Sequence, residues 1–297
     1  MPNKLISHID RVFPKLSKGH KAIAQYIRHH YDKAAFMTAA ALGEQVGVSE
    51  STVVRFAMEI GYEGYPGLQK TLQELIKSRL TSVQRMEVAI TNIDEEKLLD
   101  MAMQTDIETI KGTLERTSRA DFAGSVDAIN KAKRIYILGV RSSASLASFM
   151  AFYFNLFCDN VVLVDSSGAG EMFEQLYRIG SDDVCIAISF PRYSRQTVNA
   201  LRFVNDRGAT VIAITDSQAS PIAFFAKYLL VAGSGMVSFV DSLVAPLSLI
   251  NALIAAAARG RSEDVRQNLN TLESIWDEYQ VYEKQQDGEN TEGENNE

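Results

Sequence analysis

Two hydrophobic rhythms divide the chain. Up to about residue 132, apolar residues recur every three or four positions, the spacing of helices with one buried side. From residue 134 the rhythm changes to short, β-rich apolar runs: RIYILGV (134–140), VVLVD (161–165), DVCIAIS (183–189), TVIAIT (210–215) and YLLVA (228–232). Between them, helical spacing returns over residues 143–157, 170–179, 194–206 and 221–226, and two closing helices are expected over 237–259 and 262–282. Continuous apolar strands alternating with helices predict a parallel sheet covered on both faces. The expected fold is an all-α N-terminal domain followed by a three-layer α/β domain on a five-stranded parallel sheet. In such a sheet, ligands bind beyond the carboxyl ends of the strands.

Within the helical part, residues 5–13, 18–31 and 66–80 read as amphipathic helices around a central stretch, TAAALGEQVGVSESTVVRFAMEIG (38–61). That stretch predicts two short helices joined by a tight turn at Gly47, where a residue able to take φ > 0 is needed. Ser49 is placed to cap the second helix, and Glu50 sets negative charge in its first turn. Val53, Val54, Phe56 and Ile60 form its apolar side, and Gly61 ends it. Ser49, Ser51, Thr52 and Arg55 are left near the helix N-terminus, where short hydroxyls and an arginine meet base edges and phosphates. Tyr62 and Tyr65 have two uses open to them, donation to phosphates or packing against that helix. Lys15, Lys18, Lys21 and Arg28 are either phosphate contacts or a solvated face.

Charge sharpens the division. The chain of 297 residues carries a net charge of −7, but residues 1–85 hold 12 Lys/Arg against 7 Asp/Glu, and residues 86–297 hold 18 against 30. The basic end can meet phosphates while the acidic end stays off them. No apolar run reaches the roughly 18 uncharged residues of a membrane span, and MPNKLISHIDRVF lacks the apolar core of a signal peptide. The two cysteines, Cys158 and Cys185, sit in apolar strings without metal-ligand spacing. A cytoplasmic protein without metal or cofactor is expected, with residues 283–297 an acidic, disordered tail.

The stretch VSESTVVRFAMEIGYEGYPGLQ, with the helices around it, resembles the RpiR family of bacterial transcriptional regulators over residues 3–80. DVCIAISF…TVNALRFVNDRGATVIAITDSQASPIAFFA resembles the SIS (sugar isomerase) domain that follows the DNA-binding domain in that family, over residues 120–260. The resemblance implies a DNA-binding domain (1–80), a linker (81–106) and a SIS domain (107–282) that senses a ligand, usually a phosphosugar. Repression is the commoner role in the family.

Two loops at strand ends would face that ligand. The family pattern in the first is close to G-x-G-x-S; here it reads Gly139-Val140-Arg141-Ser142-Ser143, so Arg141 stands where the second glycine is usual. The second is usually S-x-S-G-x-T; here it reads Ser189-Phe190-Pro191-Arg192-Tyr193-Ser194, with Pro191 and Arg192 replacing serine and glycine. Hydroxyls, backbone N–H groups and a helix N-terminus together cradle a phosphate. This chain keeps Ser142, Ser143, Ser189 and Ser194 and adds two arginines. Either Arg141 and Arg192 clamp an anion, a compact phosphorylated metabolite or a carboxylate, or they point outward or pair with Asp165, Glu171 or Glu174. Ser166, Ser167 and Gly168 either close the pocket's side or form a turn, and Ser220-Pro221 starts the helix after the fourth strand.

The SIS fold also occurs in aldose–ketose isomerases, which need a general base and an acid. All four histidines, His8, His20, His29 and His30, lie in the N-terminal domain. Glu171 and Glu174 are the remaining candidates for a base, and solvated carboxylates are the competing reading. No catalytic residue is therefore assigned. The expected protein is a ligand-responsive regulator that binds a palindromic double-stranded operator as a homodimer or dimer of dimers, an isomerase being the alternative. Residues 237–258 and the last helix are candidate interface elements, with core packing as the rival use.

Overall fold

A computed structural model describes residues 4–77, 97–165, 169–235 and 240–283, together with Val83 and Met86. Part of the linker, Ser166–Gly168 and the tail beyond Glu283 lie outside the described residues. Elements are numbered here in chain order.

The N-terminal domain consists of α1 (Lys4–Val12), α2 (Lys18–Ala34), α3 (Ala39–Val46), α4 (Glu50–Glu59) and α5 (Tyr65–Lys77), with a 3₁₀ turn over Phe13–Lys15 between the first two. Pro14 ends α1 within that turn, because it fits an early helical position but cannot continue the ladder. Ser17 and Thr38 cap α2 and α3 by accepting from the His20 and Ala41 amides. Ile9, Ile23, Ile27, Leu42, Val53, Phe56, Leu68 and Leu72 form its buried core.

The joint between α3 and α4 is tight for two reasons. Gly47 takes the left-handed conformation, φ 73° and ψ 38°, as the sequence predicts. Gly43, one turn earlier, lets the chain fold back so closely that an added Cβ would lie 2.7 Å from the Val48 carbonyl oxygen. The Val48 amide then reaches the Gly43 carbonyl at 2.8 Å. Tyr65 is buried, and its hydroxyl donates to the Met37 and Ala34 carbonyls. It is therefore spent on pinning the α2–α3 loop and is not a phosphate donor.

The second domain opens with α6 (Leu98–Arg116) and α7 (Arg119–Lys131) and continues β1 (Ile135–Gly139), α8 (Ser142–Phe154), β2 (Val161–Val164), α9 (Ala169–Leu176), β3 (Val184–Ile188), α10 (Arg195–Asp206), β4 (Thr210–Thr215) and β5 (Tyr228–Val231). Two helices close it, α11 (Val244–Gly260) and α12 (Ser262–Glu278). The strands form one parallel sheet in the order β2-β1-β3-β4-β5. Alternate residues serve opposite faces. Ile137, Ile186, Ile188, Ile212 and Ile214 share a core with Met150 and Phe154 of α8 and Leu249, Ile250 and Leu253 of α11. Tyr136, Leu138, Cys185, Ala187, Val211 and Ala213 share the other with Met172 and Leu176 of α9 and Leu201 and Val204 of α10.

Two expectations need correction. Residues 221–226 give only a 3₁₀ turn, Ala223–Phe225, because the Lys227 amide already bonds Val211 to start β5 and leaves room for one turn. The first closing helix begins at Val244; residues 240–243 are not helical. Its apolar residues Ala245, Leu249, Ile250, Leu253 and Ala257 are buried against the sheet, so that side of α11 is spent on the core. Within the stretch read as linker, α6 already runs from Leu98. Thr113 of α6 accepts from the Gly233 amide at 2.9 Å, which ties that helix to the sheet domain.

Candidate functional site

In this sheet order, β1 connects outward to β2 on one side while β3 lies on the other. The strand order therefore reverses between β1 and β3, and a crevice opens beyond their carboxyl ends. Gly139 and Ile188 pair as the last residues of the two strands. The loops that follow, Val140–Ser143 and Ser189–Ser194, thus rise side by side from the reversal point. These are the two loops that the sequence singles out.

The first loop is a turn in which the Ser143 amide bonds the Val140 carbonyl at 3.3 Å. Arg141 adopts φ 59° and ψ −125°, the geometry of the first central residue of a type II′ turn, normally a glycine position. The loop therefore keeps its glycine backbone and places an arginine on it. The Arg141 residue is exposed, and its guanidinium makes no hydrogen bond or ion pair among the described residues. Gly139, just before, is required by packing: a Cβ there would collide with the Ser143 carbonyl and stand 2.8 Å from Ala147 Cβ. Ser142 is exposed at the first turn of α8, and Ser143 is buried.

In the second loop Ser189 is buried and its amide bonds the Ile214 carbonyl, holding the loop to β4. Ser194 caps α10, accepting from the Gln196 amide at 3.2 Å, so its lone pair is engaged and its proton remains to donate. Arg192 is exposed and already has an interaction within the chain. Tyr193 donates to Asp216 Oδ1 at 2.8 Å. Burial first, and then the Asp216 carboxylate, push the Tyr193 phenol well above its ordinary range, so it stays a neutral donor.

Three residues of this region went unassigned in the sequence: Tyr193, Asp216 and Thr197. Asp216 directly follows the buried strand β4, a position that could have flagged it. Thr197 Oγ1 is buried without a hydrogen-bond partner among the described residues, and so is Ser220 Oγ. Buried hydroxyls without partners are rare and point to a missing acceptor or donor. Glu171 and Glu174 are exposed on α9. Cys185 is buried, and its thiol is pushed up to about 12 by that burial, which makes it inert. No group of His, Cys, Asp and Glu among the described residues could hold a metal ion, and no helix of the described residues is long and apolar enough to cross a membrane.

In the N-terminal domain, Ser49, Ser51 and Arg55 lie exposed at the start of α4. Ser49 has the extended backbone of a cap but makes no capping bond. Its hydroxyl instead meets Ser51 Oγ at 3.0 Å and Thr52 Oγ1 at 2.8 Å. Arg55 folds back to donate to the Ser51 carbonyl at 3.2 Å. Thr52 is half-buried, near enough that a Cβ on Gly19 would touch its methyl at 3.5 Å. That contact sets the start of α2, with Lys18 exposed, beside the start of α4. Arg28 pairs with Asp10 at 2.9 Å, and Lys21 sits over the Phe13 ring. Tyr62 is half-buried against the domain core.

This pairing of a helix-turn-helix domain with a parallel-sheet domain defines a class, and comparison with known proteins identifies it. Residues 3–79 match the helix-turn-helix domain of the rpiR family, and residues 128–256 match the SIS domain. An HTH-type transcriptional regulator of Haemophilus influenzae is 26% identical over 266 residues, 87% of this chain and 91% of that one. Another, from Clostridium perfringens, is 22% identical over 88% of this chain and 95% of its own length. The chain belongs to the RpiR family of helix-turn-helix transcriptional regulators with a SIS domain. Among solved structures, the sugar isomerase domain of an RpiR transcription factor from Sphaerobacter thermophilus matches with a TM-score of 0.57 and 29% identity, over 60% of this chain and 99% of that one. The Vibrio vulnificus NanR protein, complexed with ManNAc-6P, matches with a TM-score of 0.57 and 18% identity over 93% of this chain and 99% of its own. The latter likeness concerns the fold.

Proposed function

We propose that this regulator is a cytoplasmic, dimeric repressor without catalytic activity, whose SIS domain binds a small anionic metabolite between the loops after β1 and β3. The observation that carries the reading is Arg141. A non-glycine residue at φ 59° and ψ −125° costs on the order of 1–3 kcal/mol, and such strain persists where the side chain it presents is used. The guanidinium supplies a bidentate clamp, while Ser142, Ser143, Ser189 and Ser194, with the amides opening α8, supply the hydroxyl cradle. Arg192 joins the clamp if the ligand displaces its present partner. NanR of V. vulnificus holds ManNAc-6P, so phosphorylated sugars are the first class to test and carboxylates the second.

The test is a thermal-shift screen of sugar phosphates beside mono- and dicarboxylates, with Arg141→Ala and Arg192→Ala in parallel. A ligand that binds only the folded state raises the midpoint by mass action. The expected result is a hit in the wild type that is lost in Arg141→Ala. A hit that survives both substitutions would overturn the clamp and leave the hydroxyl cradle alone; turnover of a hit would overturn the non-catalytic reading.

At the other end, Ser51 and Arg55 of α4 are proposed to read bases, with Ser49, Thr52, Tyr62 and Lys18 supporting the backbone contacts. A two-fold dimer would present two such helices to a palindromic operator. Arg55→Ala is expected to weaken operator binding by about 1–3 kcal/mol and to relax its sequence specificity. Unchanged binding in fluorescence anisotropy across a salt series would rule Arg55 out.

A further inference from the structure

Helix α6 is built inside out for a surface helix. Its inner side carries small hydroxyls: Thr105 and Thr109 face Gly235 and Gly233, whose added Cβ atoms would stand 3.0 and 2.8 Å from the threonine methyls. Thr105, Thr109, Thr113 and Thr117 each donate to the carbonyl four residues earlier, which satisfies their hydroxyls within the helix. Most of the large apolar residues lie about a third of a turn away from them. Leu99 is 73% exposed, Met103 59%, Ile107 44% and Leu114 59%, and Ile110 is half-buried between them. At 3.6 residues per turn these five fall within about 80° of arc and run along about 22 Å of the helix. A lone exposed leucine means little, but an apolar stripe on the outer side of a packed helix marks an interface.

We infer that this stripe pairs with the same stripe of a second copy of the chain, the two α6 helices running antiparallel about a two-fold axis beside Ile107. The inference rests on the dimeric reading above and assigns its interface. The apolar residues of the helix match themselves in that arrangement. Leu99 of one copy meets Leu114 of the other, Met103 meets Ile110, and Ile107 meets its own counterpart. Asp100 and Lys111 lie about 20° apart on the same flank of the stripe, so each carboxylate faces the other copy's ammonium, twice per dimer. An isologous interface requires such matching of a surface to itself.

The full-length protein tests this by cross-linking and sedimentation. Both native cysteines are buried, so an Ile107→Cys variant adds the one accessible thiol beside the axis. Mild oxidation is expected to give a covalent dimer on a non-reducing gel, while the wild type gives none. Asp100→Lys and Lys111→Asp, both surface changes, are each expected to weaken the dimer at least about tenfold in sedimentation equilibrium, and together to restore it. A dimer that forms with no cross-link and ignores both charge reversals would overturn this interface alone. Cross-linking through Ile275→Cys on α12, with Ile107→Cys silent, would move the interface to the last helix. A chain that stays monomeric at all concentrations would overturn the dimeric reading as well.

Discussion

The joint of the helix-turn-helix and the first loop of the β1–β3 crevice each turn on one residue with positive φ, and they fill it differently. In the first, Gly47 (φ 73°) closes α3, and nothing lies within 4 Å of where its Cβ would be. Glycine is there for its backbone alone. In the second, Arg141 (φ 59°) opens α8, and a turn position that normally calls for glycine carries an arginine. A turn that serves only to change direction relaxes to the residue with the least strain. A turn that carries a large side chain on strained geometry is what the proposed clamp accounts for.

The largest expected effect is on the N-terminal side of this comparison. Gly43→Ala would press a Cβ against the Val48 carbonyl oxygen at 2.7 Å, and backbone atoms on both sides cannot step away cheaply. A loss of about 2–3 kcal/mol in that domain is expected, with operator binding falling in parallel, read by calorimetry and anisotropy. If Gly43→Ala binds DNA normally, the close joint is not what sets the angle between α3 and α4.

Arg141→Gly should act in the opposite sense on the other domain. Relieving the positive-φ strain is expected to raise stability by about 1 kcal/mol, some 2–4 °C in melting temperature, while effector affinity falls about tenfold or more. A stabilised protein with unchanged affinity would show that the arginine is incidental. A destabilised one would show that its side chain packs.

How much of this the sequence could reveal follows from which physical signal each feature leaves. The five strands were legible because burial on both faces makes an uninterrupted apolar run, as in VCIAI of β3. The turn at Gly47 was legible because glycine is its local requirement. Gly43 was not, since its need is set by Val48 across the turn. The core role of α11 stayed open because its many apolar residues fit a core or an interface equally, and burial against the sheet assigns only the side that carries Leu249 and Leu253. The apolar side of α6 escaped because its inner threonines blur the amphipathic contrast. Arg141 could be seen to replace a glycine, but its retained turn geometry could not. The Tyr193–Asp216 bond joins two loops 23 residues apart, and no local pattern predicts it.

The smallest effect compares the domains through their buried phenols. Tyr65 in the N-terminal domain is pushed up to about 12 by burial, and Tyr193 in the SIS domain is raised by burial and by Asp216. In the unfolded chain both ionise near the ordinary 10. Above that pH the unfolded state has released protons that the folded state still holds, so it binds fewer, and stability falls as pH rises. Each phenol's contribution is therefore complete below about pH 10 and is lost as pH climbs from there through the folded value. Tyr65→Phe should flatten the alkaline decline of the helical domain only, and Tyr193→Phe that of the SIS domain only. Tyr193→Phe should also cost about 1 kcal/mol at neutral pH for the lost bond to Asp216. That bond fixes Arg192 and Ser194 on either side of it, so the same variant should loosen effector binding by a few fold, without altering DNA affinity in the absence of effector. Calorimetry from pH 8 to pH 11 on the two variants separates these outcomes. A Tyr193→Phe protein with an unchanged alkaline slope in the sheet domain would mean that its phenol is already open to solvent, and that Asp216 does not hold the second loop in place.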